Sequence, residues 1–288
     1  MAILNPHPAS NPESRLLKLL GAKPEPGPAE RAIFRRAKVW CARAAWIPGI
    51  RLMAVCNSAT FFAADAESDI DLFVVTAPRR MWLVRFLLTA FFQICGVRRH
   101  GNKVAGRFCL SFFCTTDALN FSKIALPNGD PYLEAWVPRI VPVLDIGGTA
   151  DTFWDASAAW APTAPERRNA NRALGFGKSL PPAKGGAGGL DAAEGGNMRT
   201  YIANPLNPPC SPTGSLRYQG EVNTAHSGKL SGLLDAADAL LEKILLPRTL
   251  RHWEKLGRPW GVVVTASMLK FHDKDRRKEF RDRLGKET

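Results

Sequence analysis

Two carboxylates stand two residues apart in an otherwise apolar stretch of the chain, at Asp69 and Asp71. On a strand, alternate side chains share a face, so we expect these carboxylates to project side by side while Ile70 and Leu72 point the other way. Adjacent carboxylates repel each other unless a cation lies between them. A hard dication takes oxygen ligands and keeps open positions for substrate phosphates. The pair is therefore typical of a nucleotide-metal site, with Mg2+ or Mn2+ as the expected ion.

The elements around the pair follow from the apolar pattern. Residues 50–56 read as a strand, and Asn57-Ser58 reads as a turn at the head of a short helix. The unpaired backbone N–H groups of such a turn favour phosphate. Ser68 precedes a second strand at 70–76, which carries Asp71. The pattern thus predicts a strand, a phosphate-favouring turn and a carboxylate-bearing strand in succession.

A long apolar helix and a third strand complete the predicted core. The helix covers 81–96 and contains Arg85, and a basic cluster that includes Lys103 leads into the strand at 108–115. On strict alternation, one face of this strand carries Phe108, Leu110, Phe112 and Cys114, and neither face carries a carboxylate. The alternation of strands and helices predicts an α/β (α+β) core with short connections.

The rest of the chain is predicted to be mostly helical. Helical spacing covers 131–144, 152–160 and 229–257, and Val262 to Val264 is interpreted as a short strand or an extended arm. The tail from 267 to 286 reads as an exposed charged helix. His272 beside Asp273 would suit an acid–base pair, but the charged helix is the simpler interpretation. The segments proposed are a tail at 1–27, a core at 28–125, a helical extension at 126–174, a flexible Gly/Pro-rich insertion or linker at 175–228, and a helical basic C-terminal region at 229–288.

Two local features resemble known motifs but do not meet their requirements. Gly177-Lys178-Ser179 lacks the glycine spacing and the preceding strand of a phosphate loop. The apolar run at 81–97 is short for a membrane span of roughly 20 residues and contains Arg85 and Gln93, which favours a buried helix. We therefore expect no phosphate loop and no membrane span.

Composition narrows the class of protein without naming a partner. The 288 residues are 45% hydrophobic and 23% charged, which is typical of a globular chain, and the net charge of +13 implies attraction to polyanions. Nucleic acid, nucleotides and anionic membrane surfaces all fit that charge. The six cysteines show neither CxxC nor Cys/His zinc spacing, and the start of the chain does not resemble a signal peptide. The cysteines are therefore predicted to be reduced core residues of a cytoplasmic protein.

The turn and the carboxylate pair together carry a resemblance. Asn57-Ser58, ten intervening positions and then Asp69-Ile70-Asp71-Leu72 resemble the signature of the polymerase-beta-type nucleotidyltransferase superfamily. The run from Glu67 to Leu72 is similar to the minimal nucleotidyltransferase branch. Farther on, residues 130–160 and 269–272 are similar to poorly characterised bacterial proteins with this domain. The resemblance implies a small mixed sheet with flanking helices and a helical C-terminal region.

The resemblance also implies an activity. A nucleoside monophosphate would move from a nucleoside triphosphate to an acceptor hydroxyl, with nucleic acid as one candidate acceptor, and pyrophosphate would leave. Asp69 and Asp71 would be the catalytic metal ligands, holding Mg2+ or Mn2+. The residues expected to contact the nucleotide are Asn57, Ser58, Ser68, Arg85 and Lys103.

Two departures from the family pattern keep other interpretations open. The usual glycine of the turn is Asn57, whose side chain hinders the close approach that glycine permits. The third carboxylate is missing from the third strand, which offers Ser111, so Asp117 just beyond it is the candidate substitute. The alternatives are a catalytically impaired nucleotide- or nucleic-acid-binding protein that keeps the fold, and a structural or partner-binding protein with an accidental carboxylate pair.

Overall fold

A mixed six-stranded sheet lies at the centre of the computed structural model, which describes residues 11–176, 224–272 and 275–286, with the side chains of 224–229 left out. The strand order is β4-β1-β2-β3-β6-β5, and β2 and β3 are parallel while all other neighbours are antiparallel. The predicted class, a mixed sheet with flanking helices, is confirmed. The strands are β1 (Ile50–Val55), β2 (Ile70–Thr76), β3 (Phe108–Thr115), β4 (Val141–Asp145), β5 (Val262–Val264) and β6 (Met268–Phe271).

Helices cover both faces of this sheet. One side, here called the α3 face, carries α2 (Pro28–Arg43), α3 (Met81–Ile94) and α7 (Thr224–Lys255). The opposite side, the α4 face, carries α1 (Pro12–Leu19), α4 (Pro131–Trp136), α5 (Thr149–Ala156) and α8 (Arg277–Lys286). The remaining described helix, α6 (Pro165–Phe176), packs along the edge strand β4. The result is two separate apolar cores, one on each side of the sheet.

The helix α3 shows how the sequence builds one of these cores. Met81, Val84, Leu88 and Phe92 recur at spacings of three and four residues, so they lie on one stripe of the helix. All four are buried against the α3 face. The predicted buried helix is confirmed, and none of the helices in the described ranges is long and apolar enough to cross a membrane.

The central strands are buried on both sides. Every residue of β1 is buried, and every residue of β2 is buried except Asp71. Strands covered by helices on both faces are expected to be apolar throughout. A carboxylate in β2 therefore departs from what packing alone would select.

A β-bulge in β3 corrects the predicted faces of that strand. Ile70 pairs with Phe108 and Asp71 with Cys109, but Phe73 then pairs with Phe112, so β3 has one extra residue in this stretch. An extra residue reverses the alternation of side chains beyond it. Phe108 and Leu110 consequently pack on the α3 face, whereas Phe112 and Cys114 pack on the α4 face. The prediction that these four residues share one face is wrong.

Two segments predicted as helix contain strands. The helix that begins at Pro131 ends at Trp136, and β4 follows after one 3-10 turn. Pro142 ends helical continuation and is tolerated because β4 is an edge strand. Residues 268–271 form β6, which pairs with β3 and buries Met268, Leu269 and Lys270. The exposed charged helix is confirmed only from Arg277 onward, as α8.

Other predicted elements fall close to their expected bounds. α5 corresponds to the predicted helix at 152–160, but it starts three residues earlier and ends four residues earlier. Val262–Val264 is a strand. The helix α7 contains Pro247 in its interior and continues through it. Leu16 of α1 is fully buried, so part of the predicted tail docks on the sheet layer. Gly177-Lys178-Ser179 and most of the predicted insertion lie outside the described residues.

All five described cysteines are free thiols. Cys41, Cys56 and Cys114 are buried, as predicted for core cysteines. Cys95, near the end of α3, is exposed, so that part of the prediction is wrong. Cys210 lies outside the described residues.

Candidate metal centre

Asp69 and Asp71 lie side by side at the start of β2, as predicted. One oxygen of each carboxylate and the Sγ atom of Cys109 all lie within 4.8 Å of one another. Cys109 reaches this position because its backbone is paired directly with Asp71 in the parallel ladder. The sequence indicates both strands but not their register, so Cys109 was not predicted to be a ligand.

A cavity of about 470 Å³ opens beside this group on the α4 face. Asp71, Cys109 and Ser58 line one side of it, and Trp136 lines another. Here it is called the metal cavity. Its volume lies within the range of small-molecule sites, roughly 300 to 1,000 Å³.

The electrostatics of the pair are unequal. Removal from water and the neighbouring charge of Asp69 raise the pKa of Asp71 to about 6, against the opposing effects of hydrogen bonds from Asn57 and Cys109 and of the charge on Arg99. Asp69 instead forms an ion pair with Arg99, whose Nη1 lies 2.6 Å from Oδ2. Asp71 therefore has no ion pair of its own within the described residues, and a bound cation would relieve its charge.

The third member of the group does not complete a hard-metal site. Burial and the charge of Asp71 raise the pKa of the Cys109 thiol to about 12, so it is neutral at pH 7. Thiolates suit softer metals, whereas Mg2+ prefers oxygen. Two carboxylates together with substrate phosphates do suit Mg2+ or Mn2+. The donor set fits a dication held jointly with a phosphate ligand, and the thiol adds little to it.

Asp117 does not supply the missing carboxylate. It is exposed in a short 3-10 turn after the C-terminal end of β3, whereas Cys109 lies near the start of that strand. Eight residues of extended chain separate the two positions by roughly 25 Å. The prediction that Asp117 takes the place of the third carboxylate is wrong. No other carboxylate in the described ranges joins Asp69 and Asp71.

The turn before β2 has a left-handed backbone, the conformation that glycine adopts most readily. Asn57 has φ +58°, and asparagine tolerates this conformation better than most other residues do. Its Oδ1 accepts a hydrogen bond of 2.8 Å from the indole Nε1 of Trp136, and its side chain also bonds to Asp71. The predicted short helix is a single 3-10 turn, Asn57–Ala59, with Ser58 facing the metal cavity. Asn57 thus connects the turn, the carboxylate and α4.

The structure does not gather the other predicted nucleotide contacts with the pair. Ser68 Oγ donates to Asp65 Oδ1 at 2.8 Å and closes the turn that precedes β2. Arg85 lies on the α3 face, with its guanidinium 4.2 Å from the ring centre of Phe271. Lys103 is exposed in a turn beside His100 and lines neither this cavity nor the one described below. Only Asn57 and Ser58 of the five predicted contacts border the metal cavity.

The far wall of the metal cavity comes from the end of the chain. His272 follows β6, and its Nε2 lies 3.3 Å from Ser111 Oγ, in a contact whose donor depends on the imidazole tautomer. Lys270 and Arg277 also line the cavity, but both are held by ion pairs with Asp275. Because this segment was predicted to be an exposed helix, these residues were not predicted to lie near the carboxylate pair. The short apolar run of Met268, Leu269 and Phe271 was the sequence signal available for a strand.

Comparisons of the chain with models of protein families, with curated proteins and with solved structures give no match.

Proposed function

We propose that the protein is a Mg2+- or Mn2+-dependent nucleotidyltransferase that uses the metal cavity. A nucleoside triphosphate would place its phosphates at the Asn57-Ser58 turn, and the dication would be held by Asp69 and Asp71. The observation that carries the proposal is the convergence of these two carboxylates beside a turn that faces a cavity of nucleotide size. The resemblance in the spacing of the turn and the pair supports the same reaction.

Each side chain has a role that follows from its contacts. A bound dication would neutralise the charge that develops on the reacting phosphates. Asn57 orients the Asp71 carboxylate through its side-chain hydrogen bond. Arg99 neutralises Asp69 until a ligand competes for that carboxylate. The reaction would join the acceptor oxygen to the α-phosphorus and release pyrophosphate. The imidazole of His272, which lines the cavity, would take the acceptor proton.

The test measures nucleotide binding and pyrophosphate release with Mg2+ or Mn2+ and each nucleoside triphosphate. We expect metal-dependent binding, and at least about a tenfold loss of affinity in the double variant Asp69→Asn plus Asp71→Asn, because neutral amides are poor ligands for a hard cation. Asp117→Asn is the matched control, since it makes the same change at the far end of β3. Unchanged binding in the double variant would count against the proposal.

A second candidate function is nucleotide binding without transfer. The specific observation in its favour is that a neutral thiol, Cys109, stands beside the pair where a third carboxylate would help to hold a metal. On this candidate the wild-type protein binds nucleotide with Mg2+ but releases no pyrophosphate, and Cys109→Asp tightens metal binding. Cys95→Asp is the control, because Cys95 is exposed and does not line the metal cavity. Pyrophosphate release by the wild-type protein would rule the second candidate out.

A further inference from the structure

A second cavity, of about 680 Å³, lies between α3, α7 and the first residues of β3. Its lining is strongly basic: it contains no carboxylate from the described residues and includes Arg85, Arg98, Arg99, His100, Arg248 and His252. Here it is called the basic cavity. Such a concentration of cations repels itself unless an anion is present.

The arginines of the basic cavity are mostly without ionic partners. Arg99 pairs with Asp69, but Arg85, Arg98 and Arg248 form no ion pair with a described residue. Among the described residues, the guanidinium of Arg98 donates only to the neutral amide oxygen of Gln93, at 3.2 Å. The cavity therefore holds at least three guanidinium groups whose charge no described residue balances.

Of these three arginines, Arg85 gives the strongest evidence for an anion site, because its side chain is largely buried. Its Nη1 is inaccessible to water and has no hydrogen-bond acceptor among the described residues. Burial and the nearby Arg98 lower its pKa to about 10, so it remains a cation at neutral pH. Two other buried arginines have carboxylate partners: Arg80 pairs with Asp235, and Arg277 pairs with Asp130. An unpaired buried charge is costly, which is the condition that a bound anion would relieve.

The remaining wall suits an organic group rather than a bare anion. Leu245 and Trp253 from α7 and Leu110 from β3 give the cavity apolar surface. Phe271 also lines it, beneath the guanidinium of Arg85. A ring can stack on such aromatic surface while a phosphate meets the arginines. The volume is also larger than one phosphate needs.

We propose that the basic cavity binds a phosphate-bearing organic ligand, with the phosphate paired to Arg85, Arg98 and Arg248. The two cavities share Arg99, Cys109, Ser111 and Phe271 as lining residues, so they meet at the first residues of β3. This ligand is then the acceptor, an identification that rests on the proposed nucleotidyl transfer. Free mononucleotides and the 5′-phosphate end of a nucleic acid strand carry the same chemistry.

Binding measured by titration calorimetry in EDTA tests the site without any metal-dependent reaction. The probes are 5′-AMP, adenosine and a tetraribonucleotide with and without a 5′-phosphate. We expect the phosphate to tighten binding at least about tenfold, as for hydrogen bonds to a charged group. Tighter binding of 5′-AMP would identify a free nucleotide as the ligand, and tighter binding of the phosphorylated strand a nucleic acid end. Equal binding of 5′-AMP and adenosine, together with no effect of the 5′-phosphate on the strand, would overturn the proposal.

Variants then locate the phosphate. Arg248→Ala should weaken binding of the preferred phosphate probe about tenfold, whereas Arg251→Ala, exposed on the same helix and outside the cavity, should change it less than about twofold. Arg85→Met should abolish phosphate-dependent binding and raise the melting temperature, because it removes an unpaired buried charge. Equal affinities in Arg248→Ala and Arg251→Ala would overturn the assignment. The double variant Asp69→Asn plus Asp71→Asn should still bind in EDTA, so failure of the metal centre is distinguishable from failure of this site.

Discussion

Asp71 carries a charge that the fold only partly balances. Its neighbour Asp69 has Arg99, while Asp71 has hydrogen bonds from Asn57 and Cys109 and no cation of its own in the described residues. Its raised pKa, about 6, means that the folded chain binds a proton at Asp71 more tightly than the unfolded chain does. Stability that depends on this proton is therefore present at low pH and is lost as the pH rises from about 4 to about 6. Groups that function as ligands commonly carry such a cost.

The corresponding variant is Asp71→Asn. In EDTA above pH 6 it should unfold at a higher temperature than the wild-type protein, because the uncompensated charge is gone. Near pH 4 the difference should be much smaller, because Asp71 is then protonated in the folded chain and about half protonated in the unfolded chain. Mg2+ should stabilise the wild-type protein and leave the variant unchanged, since only the carboxylate gains from the ion.

Thermal unfolding across pH 4 to 8 measures this effect. Asp117→Asn is the control, because Asp117 is exposed at the other end of β3. If Asp71→Asn is less stable than the wild-type protein at pH 7 in EDTA, the conclusion that the charge of Asp71 destabilises the fold is contradicted.

At the scale of elements, the turn Asn57–Ala59 connects the pair to the helical layer. Its first residue has a left-handed backbone and accepts a hydrogen bond from the buried Trp136. The carbonyl of Asn57 also accepts hydrogen bonds from the backbone N–H groups of Thr60 and Phe61. Both the backbone and the side chain of this asparagine are therefore used, which a glycine could not reproduce.

Replacement of Asn57 tests this dual role. Asn57→Gly should destabilise the protein by about 1 to 2 kcal/mol, because the buried indole N–H of Trp136 loses its acceptor. Asn57→Ala should cost about 1 kcal/mol more, since alanine resists positive φ. Chemical denaturation gives both values. Asn128→Gly is the control at an exposed residue with φ +66°, and we expect little change there; equal effects at the two positions would contradict the role of the side chain.

The bulge in β3 matters at the same scale. It lets Phe108 and Leu110 serve the core on the α3 face while Phe112 and Cys114 serve the other core. Ser111 is left between the two, where it lines both cavities and contacts His272. Bulges frequently redirect side chains beside functional sites. Here the bulge is what brings one serine to the junction of both cavities.

At the scale of the whole molecule, a buried ionic network ties the end of the chain to its middle. Arg277 pairs with Asp130 at 2.7 Å and with Asp275 at 3.1 Å, and Asp275 also pairs with Lys270 at 2.6 Å. All four side chains are almost fully buried. Asp130 also caps α4 by accepting from the backbone N–H of Leu133. Two cations and two carboxylates balance, so this network is neutral as a unit.

Breaking this network should strongly lower the stability of the protein. Arg277→Met leaves Asp130 and Asp275 with less compensation and should lower the free energy of unfolding by about 3 to 5 kcal/mol. Arg276→Met removes a neighbouring arginine that pairs with Glu279 at the surface, and it should cost less than about 1 kcal/mol. Urea denaturation of the two variants gives the comparison. Similar costs would show that burial of the network contributes little to stability.

The local pattern determined much of the architecture. Strands β1, β2 and β3 and helix α3 were predictable because their apolar residues recur at strand or helix spacing, and that spacing is a property of neighbouring residues alone. The adjacency of Asp69 and Asp71 follows from the same two-residue period. The left-handed backbone at Asn57 was also within reach, because asparagine tolerates it.

Only the tertiary structure decided which distant residues complete the site. Cys109 joins the pair through the register of two parallel strands, and Arg85 lies on the opposite side of the sheet from Asp71. β4 and β6 exist as strands because partner edges were available for them, against a helical or charged local pattern. Pairing register, bulges and the choice of face depend on contacts between segments far apart in the chain, and no spacing within one segment records them. The sequence by itself therefore determined the carboxylate pair and the strands that carry it, and the fold decided its third neighbour and the walls of both cavities.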